Sequence, residues 1–167
     1  RERRLRKAQL RRSLDALRTP ARRQGVRIAI ENMGGDDFRA LRRLFADYGP
    51  DYLGLCYDSG HGNLGGAGLE GLAACKERLL AVHLHDNDGS GDQHLLPFSG
   101  TVAWKRLTAL LAASAYRKCV SLEVSMRHEK KQRDSAYLAC AFRAAQRLTA
   151  MVRETSTAAL PAGGRRA

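Results

Sequence analysis

The sequence predicts an α/β fold in which parallel strands alternate with helices. Four short apolar runs are separated by stretches with helical periodicity, and strands separated in this way pair in parallel because each needs a long return path. The chain has 167 residues, of which 44% are hydrophobic, so it can bury a core and is not a disordered chain. No uncharged apolar run approaches the roughly 18 residues of a membrane-spanning helix, and we expect a soluble protein with no membrane partner.

The first helix is predicted over residues 3–24, where apolar side chains recur at helical spacing along a strongly basic segment. The apolar positions are Leu10, Leu14, Leu17 and Ala21. Pro20 is expected to kink or restart this helix, and Gly25 suits its end. Residues 26–31, with the sequence VRIAIE, predict the first strand because they are rich in β-branched side chains.

A second helix and a second strand follow in the same order. Asp36 or Asp37 can cap the helix, and the dipeptide at 49–50, Gly-Pro, ends it. The apolar face of this helix is Phe38, Leu41, Leu44 and Phe45. Residues 52–58, with the sequence YLGLCYD, form an uninterrupted apolar run that predicts a buried strand.

The third unit begins with a glycine-rich stretch at 61–68, predicted as a loop, and a short helix at 69–77. Residues 79–85, with the sequence LLAVHLH, predict the third strand. The polar loop at 86–100 is longer than an ordinary connection between secondary-structure elements, which makes it a candidate functional loop.

The fourth unit completes the predicted domain. Apolar spacing predicts a helix after this loop, with Trp104 packing at its start, a fourth strand at 119–124 and a final helix at 136–153. The apolar positions of the helix after the loop are Val102, Leu107, Leu110 and Leu111. We therefore expect one domain over residues 1–153 and a disordered basic tail over residues 154–167.

Charge and cysteine placement limit the classes of function and compartment. The net charge is +12, but the basic residues are scattered rather than gathered in a stripe, so nucleic acid is the less favoured partner. The cysteines lie far apart without a C-x-x-C pair, which predicts buried free thiols in a reducing compartment. They are Cys56, Cys75, Cys119 and Cys140. No signal-peptide pattern is present, and the cytoplasm is the expected location.

Each predicted strand ends, or nearly ends, in a side chain that can bind a metal ion. These side chains are Glu31, Asp58, His83 and Glu123. Because the carboxyl ends of parallel strands gather at one edge of a sheet, we expect the four to lie close together. Clustered carboxylates repel one another without a cation, and three oxygen ligands with one nitrogen suit Mn²⁺, Mg²⁺, Co²⁺ or Zn²⁺.

Each of these residues also has a structural explanation when it is taken alone. Glu31 could cap a helix, Asp58 could accept backbone donors from the glycine-rich turn, and His83 could be a hydrogen-bonded core histidine. No G-x-G-x-x-G or G-x-x-x-x-G-K-[ST] motif follows any strand, so dinucleotide-binding and P-loop functions are not expected.

Motifs in four segments carry a family resemblance. The segments are GVRIAIENMGG (25–35), LGLCYDSGHGNL (53–64), LLAVHLHDNDGSGDQHLLPFSGTVAW (79–104) and SLEVS (121–125). With D-x-x-H, H-x-H-D-N and D-x-H in this order, the chain resembles the second half of the xylose isomerase-like TIM barrels. That group includes sugar phosphate isomerases, ketose 3-epimerases and endonuclease IV. The resemblance implies the C-terminal half of a (β/α)₈ TIM barrel, with four parallel strands and helical crossovers.

The resemblance also implies roles for individual residues. The metal would be held by Glu31, Asp58, His83 and Glu123, on the fifth to eighth strands of the barrel. Glu31 and Glu123 would be the paired catalytic groups that move a substrate proton through an enediolate. The substrate-binding residues would be His61, His85, Asp86 and His94.

Three functions follow as hypotheses. The first is a metal-dependent isomerase or epimerase acting on a small sugar or sugar phosphate. The second is an endonuclease IV-like zinc phosphodiesterase acting on abasic DNA, in which His61, Asp92 and His94 would be additional metal ligands. The third is an inactive truncated remnant or interaction module. A complete barrel needs about 250 residues, so we expect either a fragment of a longer protein or a homo-oligomer whose copies complete the barrel.

Overall fold

A computed structural model describes residues 2–65, 67–128 and 133–158 of the chain. Helices and strands alternate within these ranges. In chain order they are α1 (Glu2–Arg23), β1 (Ile28–Glu31), α2 (Arg39–Asp47), β2 (Leu53–Asp58), α3 (Ser59–Asn63), α4 (Gly68–Cys75), β3 (Leu79–His83), α5 (Trp104–Ala112) and α6 (Asp134–Ala158). Short 3₁₀ turns lie at Lys76–Arg78 and Met126–His128.

The strands form a parallel sheet in the order β1-β2-β3, which confirms the predicted α/β class. Helical crossovers connect the strands, as parallel pairing requires. All residues of the central strand β2 are buried, which accounts for its uninterrupted apolar sequence.

The predicted fourth strand at 119–124 is reduced to a single parallel bridge between Leu84 and Leu122. The Leu84 N–H donates to Ser121 O (2.9 Å), and the Glu123 N–H donates to Leu84 O (3.1 Å). Pairing stops there because Asp86 instead forms an antiparallel bridge with Leu95, which takes the chain away from the sheet. The described part of the chain therefore contains three strands and two isolated bridges, not four strands.

Two further predictions, the loop at 61–68 and the disordered tail at 154–167, also need correction. The stretch 61–68 was predicted as a loop, but α3 occupies its start because the Asp58 side chain accepts the His61 N–H (2.7 Å) and caps the helix. Helix α6 extends to Ala158, so residues 154–158 of the predicted disordered tail are helical. Residues 159–167 lie outside the described residues.

The start of α2 differs from the predicted cap. Phe38 is the residue before the helix and has a left-handed backbone (φ 59°), with no side-chain cap of its own. Asp36 accepts the N–H of Phe38 (2.8 Å) and Asp37 that of Arg39 (3.0 Å), so both predicted carboxylates act in the turn before the helix. The Phe38 ring lies against Gly71, where a Cβ atom would overlap it.

The core lies between the sheet and helices α2, α4, α5 and α6. Along α1 only part of the predicted apolar stripe is buried: Leu14 is 2% exposed, whereas Leu10 and Leu17 are 40% and 49% exposed. Pro20 lies inside α1, which runs unbroken across it. None of the described helices combines the length and the apolar character needed to cross a bilayer.

All four cysteines are free, as predicted, but only Cys56 and Cys75 are buried. Burial, together with the charges of Glu31 and other nearby carboxylates, raises the pKa of Cys56 to about 12.

Because the thiolate is the reactive form, we expect Ellman's reagent at about pH 8 to label exposed Cys119 rapidly and Cys56 and Cys75 only after unfolding in guanidinium. Rapid labelling of Cys56 in the native protein would contradict this packing.

Candidate metal centre

The four side chains predicted at the strand ends converge. Glu31, Asp58, His83 and Glu123 each offer a ligand atom, and these atoms lie within 4.8 Å of one another. Asp58 is fully buried, Glu31 and His83 are half-buried, and Glu123 is exposed, so the group closes on the sheet side and opens towards solvent. This arrangement can hold a metal ion, and its open side faces solvent.

The strand register explains the convergence. Glu31 pairs with Cys56 and Asp58 with His83, and residues two apart on a strand point to the same face, so Glu31, Asp58 and His83 share one face. A register shift between Leu55 and Cys56 is required, because unbroken pairing from Leu55 and Leu79 would place Val82 beside Asp58. The irregularity in β2 is therefore what brings Asp58 level with His83.

His83 lies between the two glutamates. Its Nδ1 atom is 2.9 Å from Glu123 Oε2 and 3.5 Å from Glu31 Oε1. This nitrogen is buried and makes no well-oriented hydrogen bond. A cation bound between this nitrogen and the carboxylate oxygens on its two sides would interact with all of them. These residues therefore fit a divalent metal.

Asp58 is held rigidly at the back of the group. His85 Nε2 donates to its two carboxylate oxygens (3.0 and 3.1 Å), and the His61 backbone N–H donates to Oδ1. Burial alone would raise the pKa of Asp58, but these hydrogen bonds and the nearby imidazoles outweigh burial, and the pKa lies below its ordinary value. Asn32, also fully buried, donates to Asp58 O (3.0 Å) and accepts the Asp58 N–H (2.8 Å), which joins the ends of β1 and β2.

A second group of candidate ligands adjoins the first and consists of His85, Asp92 and His94. The His94 Nδ1–H donates to Glu123 O (2.8 Å), which directs its Nε2 to Asp92 Oδ2 at 3.2 Å. His61 is arranged in the same way, with Nδ1 donating to Asn32 O (3.0 Å) and Nε2 lying 3.3 Å from Asp92 Oδ2. A histidine whose Nδ1–H is held by a carbonyl presents the Nε2 lone pair that metal binding uses.

The pKa values of these two histidines reflect competing effects. Burial alone would lower the pKa of His61, but the carboxylates of Asp58 and Asp92 raise it above its ordinary value. Burial would likewise lower the pKa of His94, but its hydrogen bond to Glu123 O and the charge of Asp92 raise it.

His85 does not occupy the substrate-facing position predicted for it. The ring is fully buried, bonded to Asp58 and stacked on His94 with ring centroids 4.0 Å apart. Gly60 leaves the space for the ring, because a Cβ atom at that position would overlap it. His85 is therefore placed to hold the Asp58 carboxylate, and its ring has no exposed surface in this structure. His61 and His94 are half-buried and remain compatible with the predicted substrate contacts.

Asp86 was also predicted to bind substrate, and its hydrogen bonds argue against that role. Its buried carboxylate accepts the backbone N–H groups of Asn87, Phe98 and Val102 and the indole N–H of Trp104, at 2.8 to 3.0 Å. Both oxygens are thus used to fold the loop 86–100, whose residues Asp92 and His94 face the site. Trp104 is buried at the start of α5, as predicted for a packing residue.

Sequence reasoning missed two buried residues that shape the site. Asn32 directly follows Glu31, and Ser59 directly follows Asp58. The Ser59 hydroxyl donates to His85 O (2.6 Å) and accepts the His85 N–H (2.9 Å). The sequence feature that could have found them is that each polar side chain directly follows the last residue of an apolar run predicted as a strand.

Comparisons with known proteins agree with this geometry. The family described as xylose isomerase-like TIM barrel matches residues 1–143. The chain belongs to this family. Among curated relatives of this xylose isomerase-like chain, the uncharacterized protein y4fM of Sinorhizobium fredii is 39% identical over 120 residues, which cover 69% of this chain and 39% of that protein. The uncharacterized protein MJ1311 of Methanocaldococcus jannaschii is 28% identical over 110 residues, 59% of this chain and 37% of that protein.

Solved structures show the same fold. A D-tagatose 3-epimerase-like protein superposes with a TM-score of 0.69 at 22% identity, covering 88% of this chain and 54% of that one. A xylose isomerase domain protein from Alicyclobacillus acidocaldarius gives 0.64 at 20% identity, covering 83% and 55%. The IOLI protein with a bound zinc atom gives 0.60 at 21% identity, covering 89% and 56%. The xylose isomerase-like chain thus spans about half of these structures and, at 39% and 37%, about two-fifths of the curated relatives.

Replacing Asp86 by Asn should destabilise the protein. The amide keeps one acceptor oxygen but turns an NH₂ group towards N–H donors, so we expect a loss of about 2–4 kcal/mol in the free energy of unfolding in urea. Asp88→Asn is the matched control, because Asp88 is exposed in the same loop and should cost less than about 1 kcal/mol. Equal destabilisation by the two variants would show that Asp86 does not organise the loop.

Proposed function

We propose that this chain carries the metal centre of an isomerase or epimerase that moves a proton on a sugar or sugar phosphate. The observation that carries the proposal is the convergence of Glu31, Asp58, His83 and Glu123 on one open-sided cluster. The resemblance to sugar epimerases and the fold shared with a D-tagatose 3-epimerase-like protein support the choice of reaction. The proposed activity belongs to a complete barrel, whose other strands would come from the rest of a longer chain or from a second copy.

The donor set defines which metals are suitable. Three carboxylates and one imidazole would hold Mn²⁺, Zn²⁺, Co²⁺ or Mg²⁺, and the exposure of Glu123 leaves the solvent side free for substrate oxygens. When bound, such a cation would polarise a substrate carbonyl and lower the pKa of the neighbouring C–H group.

Glu31 and Glu123 would then act as the proton-transfer pair. Both carboxylates approach His83 Nδ1, but Glu31 comes from β1 and Glu123 from the far end of the sheet, so they flank the site from different sides. One carboxylate would remove the proton next to the carbonyl to leave an enediolate, and the other would return a proton. Return to the neighbouring carbon isomerises the sugar, whereas return to the opposite face of the same carbon epimerises it.

His61 and His94 would orient the substrate at the rim of this cluster. Each histidine is fixed by a hydrogen bond to a backbone carbonyl and leaves its Nε2 atom on the side of Asp92. Fixed imidazoles of this kind can hydrogen-bond sugar hydroxyls without a large loss of side-chain entropy.

The second ligand group favours one further candidate, an endonuclease IV-like zinc phosphodiesterase that acts on abasic DNA. The group of His85, Asp92 and His94 lies beside the first cluster, and His61 also approaches Asp92. Two adjacent metal sites suit phosphodiester hydrolysis, because they can stabilise both the attacking and the leaving oxygen. The net charge of +12 would also favour DNA.

Metal uptake should depend on Glu123. We expect about one equivalent of Mn²⁺ per chain in equilibrium dialysis with the native sequence, and an affinity reduced more than about tenfold in Glu123→Gln, because one anionic ligand is lost. Glu77→Gln is the control, since Glu77 is an exposed carboxylate on the 3₁₀ turn before β3. Unchanged uptake by Glu123→Gln would remove the basis for the centre.

Two assays on the Mn²⁺- or Zn²⁺-loaded protein separate the candidate functions. The isomerase or epimerase should incorporate solvent deuterium into a ketose, and Glu31→Gln should slow this exchange by about 10²-fold or more. A nuclease should instead cleave an abasic duplex, with activity that falls steeply as salt is added. Metal uptake without either activity would support the third hypothesis, a remnant or interaction module.

A further inference from the structure

The loop 86–100 holds two non-glycine residues in the left-handed backbone region. They are His94 (φ 52°) and Phe98 (φ 75°). This conformation is strained for a residue with a side chain and persists only where surrounding contacts impose it. The loop also carries Asp92 and His94, which offer candidate ligand atoms beside the metal centre. The contacts that impose this loop conformation therefore decide where two candidate ligands lie.

His94 is held through both its ring and its backbone. The Nδ1–H donates to Glu123 O (2.8 Å), and the backbone oxygen accepts the Ser125 N–H (2.9 Å). The neighbouring Leu95 exchanges both backbone hydrogen bonds with Asp86, each 2.9 Å long. The part of the loop around His94 is thus fixed by hydrogen bonds to two other segments.

Phe98 is held by its backbone and by its ring. Its N–H donates to Asp86 Oδ2 (3.0 Å), and its ring packs on that of Trp104 with centroids 5.5 Å apart. The guanidinium of Arg147 lies over the same ring, with Cζ 3.8 Å from the centroid. Arg147 precedes Leu148 on α6, and Leu148 is fully buried in the core. Arg147 therefore joins the second half of the loop to a helix that is anchored in the core.

The ring contact distinguishes Arg147 from the other exposed arginines. In the described ranges, the second guanidinium that lies over an aromatic ring is that of Arg78, 4.9 Å from the Phe45 centroid. Arg78 is half-buried and also donates to backbone carbonyls, whereas Arg147 is exposed. A guanidinium over a ring face is attracted by the negative charge density of that face. Because the attraction depends on the cation, a neutral side chain of similar length at position 147 tests it without emptying the space.

We propose that Arg147 is a positioning residue, which keeps the loop 86–100 in the conformation that places Asp92 and His94 beside the candidate metal centre. It acts through the Phe98 ring, four residues after His94. Its effect on a reaction rests on the proposed isomerase or epimerase function, in which His94 orients the substrate. The ligands on the sheet, which this loop does not carry, are Glu31, Asp58 and His83.

The test measures amide hydrogen exchange by NMR in the metal-free protein, because this readout needs neither a metal nor a substrate. In Arg147→Gln, the amides of Leu95, Phe98 and Ser125 should exchange about two- to fivefold faster, as expected for the loss of an exposed cation–π contact. The amides of β2 should keep their native rates. Arg147→Lys keeps a cation and should restore most of the protection.

Two further variants make the test specific. Arg143→Gln removes the same charge from an exposed position one turn earlier on α6, where the guanidinium contacts Cys140 Sγ (3.1 Å), and should leave the loop amides unchanged. In a Phe98→Leu background, Arg147→Gln should have no further effect, because the ring is already lost. Equal acceleration by Arg143→Gln, or uniform acceleration of the loop and β2, would overturn the proposal.

Deuterium incorporation into D-fructose and D-tagatose by the Mn²⁺-loaded protein separates positioning from the reaction. Arg147→Gln should raise KM about two- to fivefold and leave the Mn²⁺ affinity unchanged, because the loop carries substrate contacts and not the ligands on the sheet. If the loop amides respond but the native protein exchanges no deuterium, the held loop stands and the proposed reaction fails. If the native protein is active but the loop amides do not respond, or if KM stays the same, the positioning role is wrong.

Discussion

Electrostatic repulsion among the strand-end carboxylates is the constraint on which the site depends. Two unit charges of the same sign at 4.8 Å, the limit that encloses the cluster, repel by roughly 3.5 kcal/mol at an effective dielectric constant near 20. Asp58 has no contact with solvent and still keeps a lowered pKa, because His85 and the His61 backbone N–H stabilise its charge. Glu31 lies beside the imidazoles of His61 and His83, and Glu123 lies beside that of His83. A divalent cation would relieve the remaining repulsion and so stabilise the folded state.

The site combines a rigid side with an open one. Asp58 sits at the end of the fully buried strand β2, where Asn32 and Ser59 join it to β1 and to the chain after β3. Glu123, in contrast, follows a single bridge, is exposed, and has its backbone oxygen bonded to His94. In the proposed metal centre, the sheet side would keep the ligands in place while the solvent side could adapt to a substrate.

Much of this arrangement could be predicted from the sequence because parallel strands deliver their last residues to one edge. That rule was enough to place Glu31, Asp58 and His83 together, and the apolar runs gave the three strands that carry them. The family resemblance was confirmed by the match over residues 1–143. Both results rest on patterns within short segments of the sequence, which can be seen without knowing the tertiary structure.

The errors have a common physical cause, since each depends on contacts between residues distant in the chain. The fourth strand shortened to a bridge because Asp86 pairs with Leu95 instead of continuing the ladder. The carboxylate of the same residue, predicted to bind substrate, accepts hydrogen bonds from donors as far along the chain as Trp104. The register shift in β2 likewise has no signature in the apolar run that contains it.

The contact between Gly60 and His85 links two positions that lie on different elements. Glycine leaves room for an imidazole that could not otherwise reach Asp58, and any side chain at position 60 would occupy the volume of that ring. Neither position is free to vary alone. In the evolution of this chain, a larger residue at 60 would be tolerated only together with a smaller one at 85, so the two should change as a correlated pair.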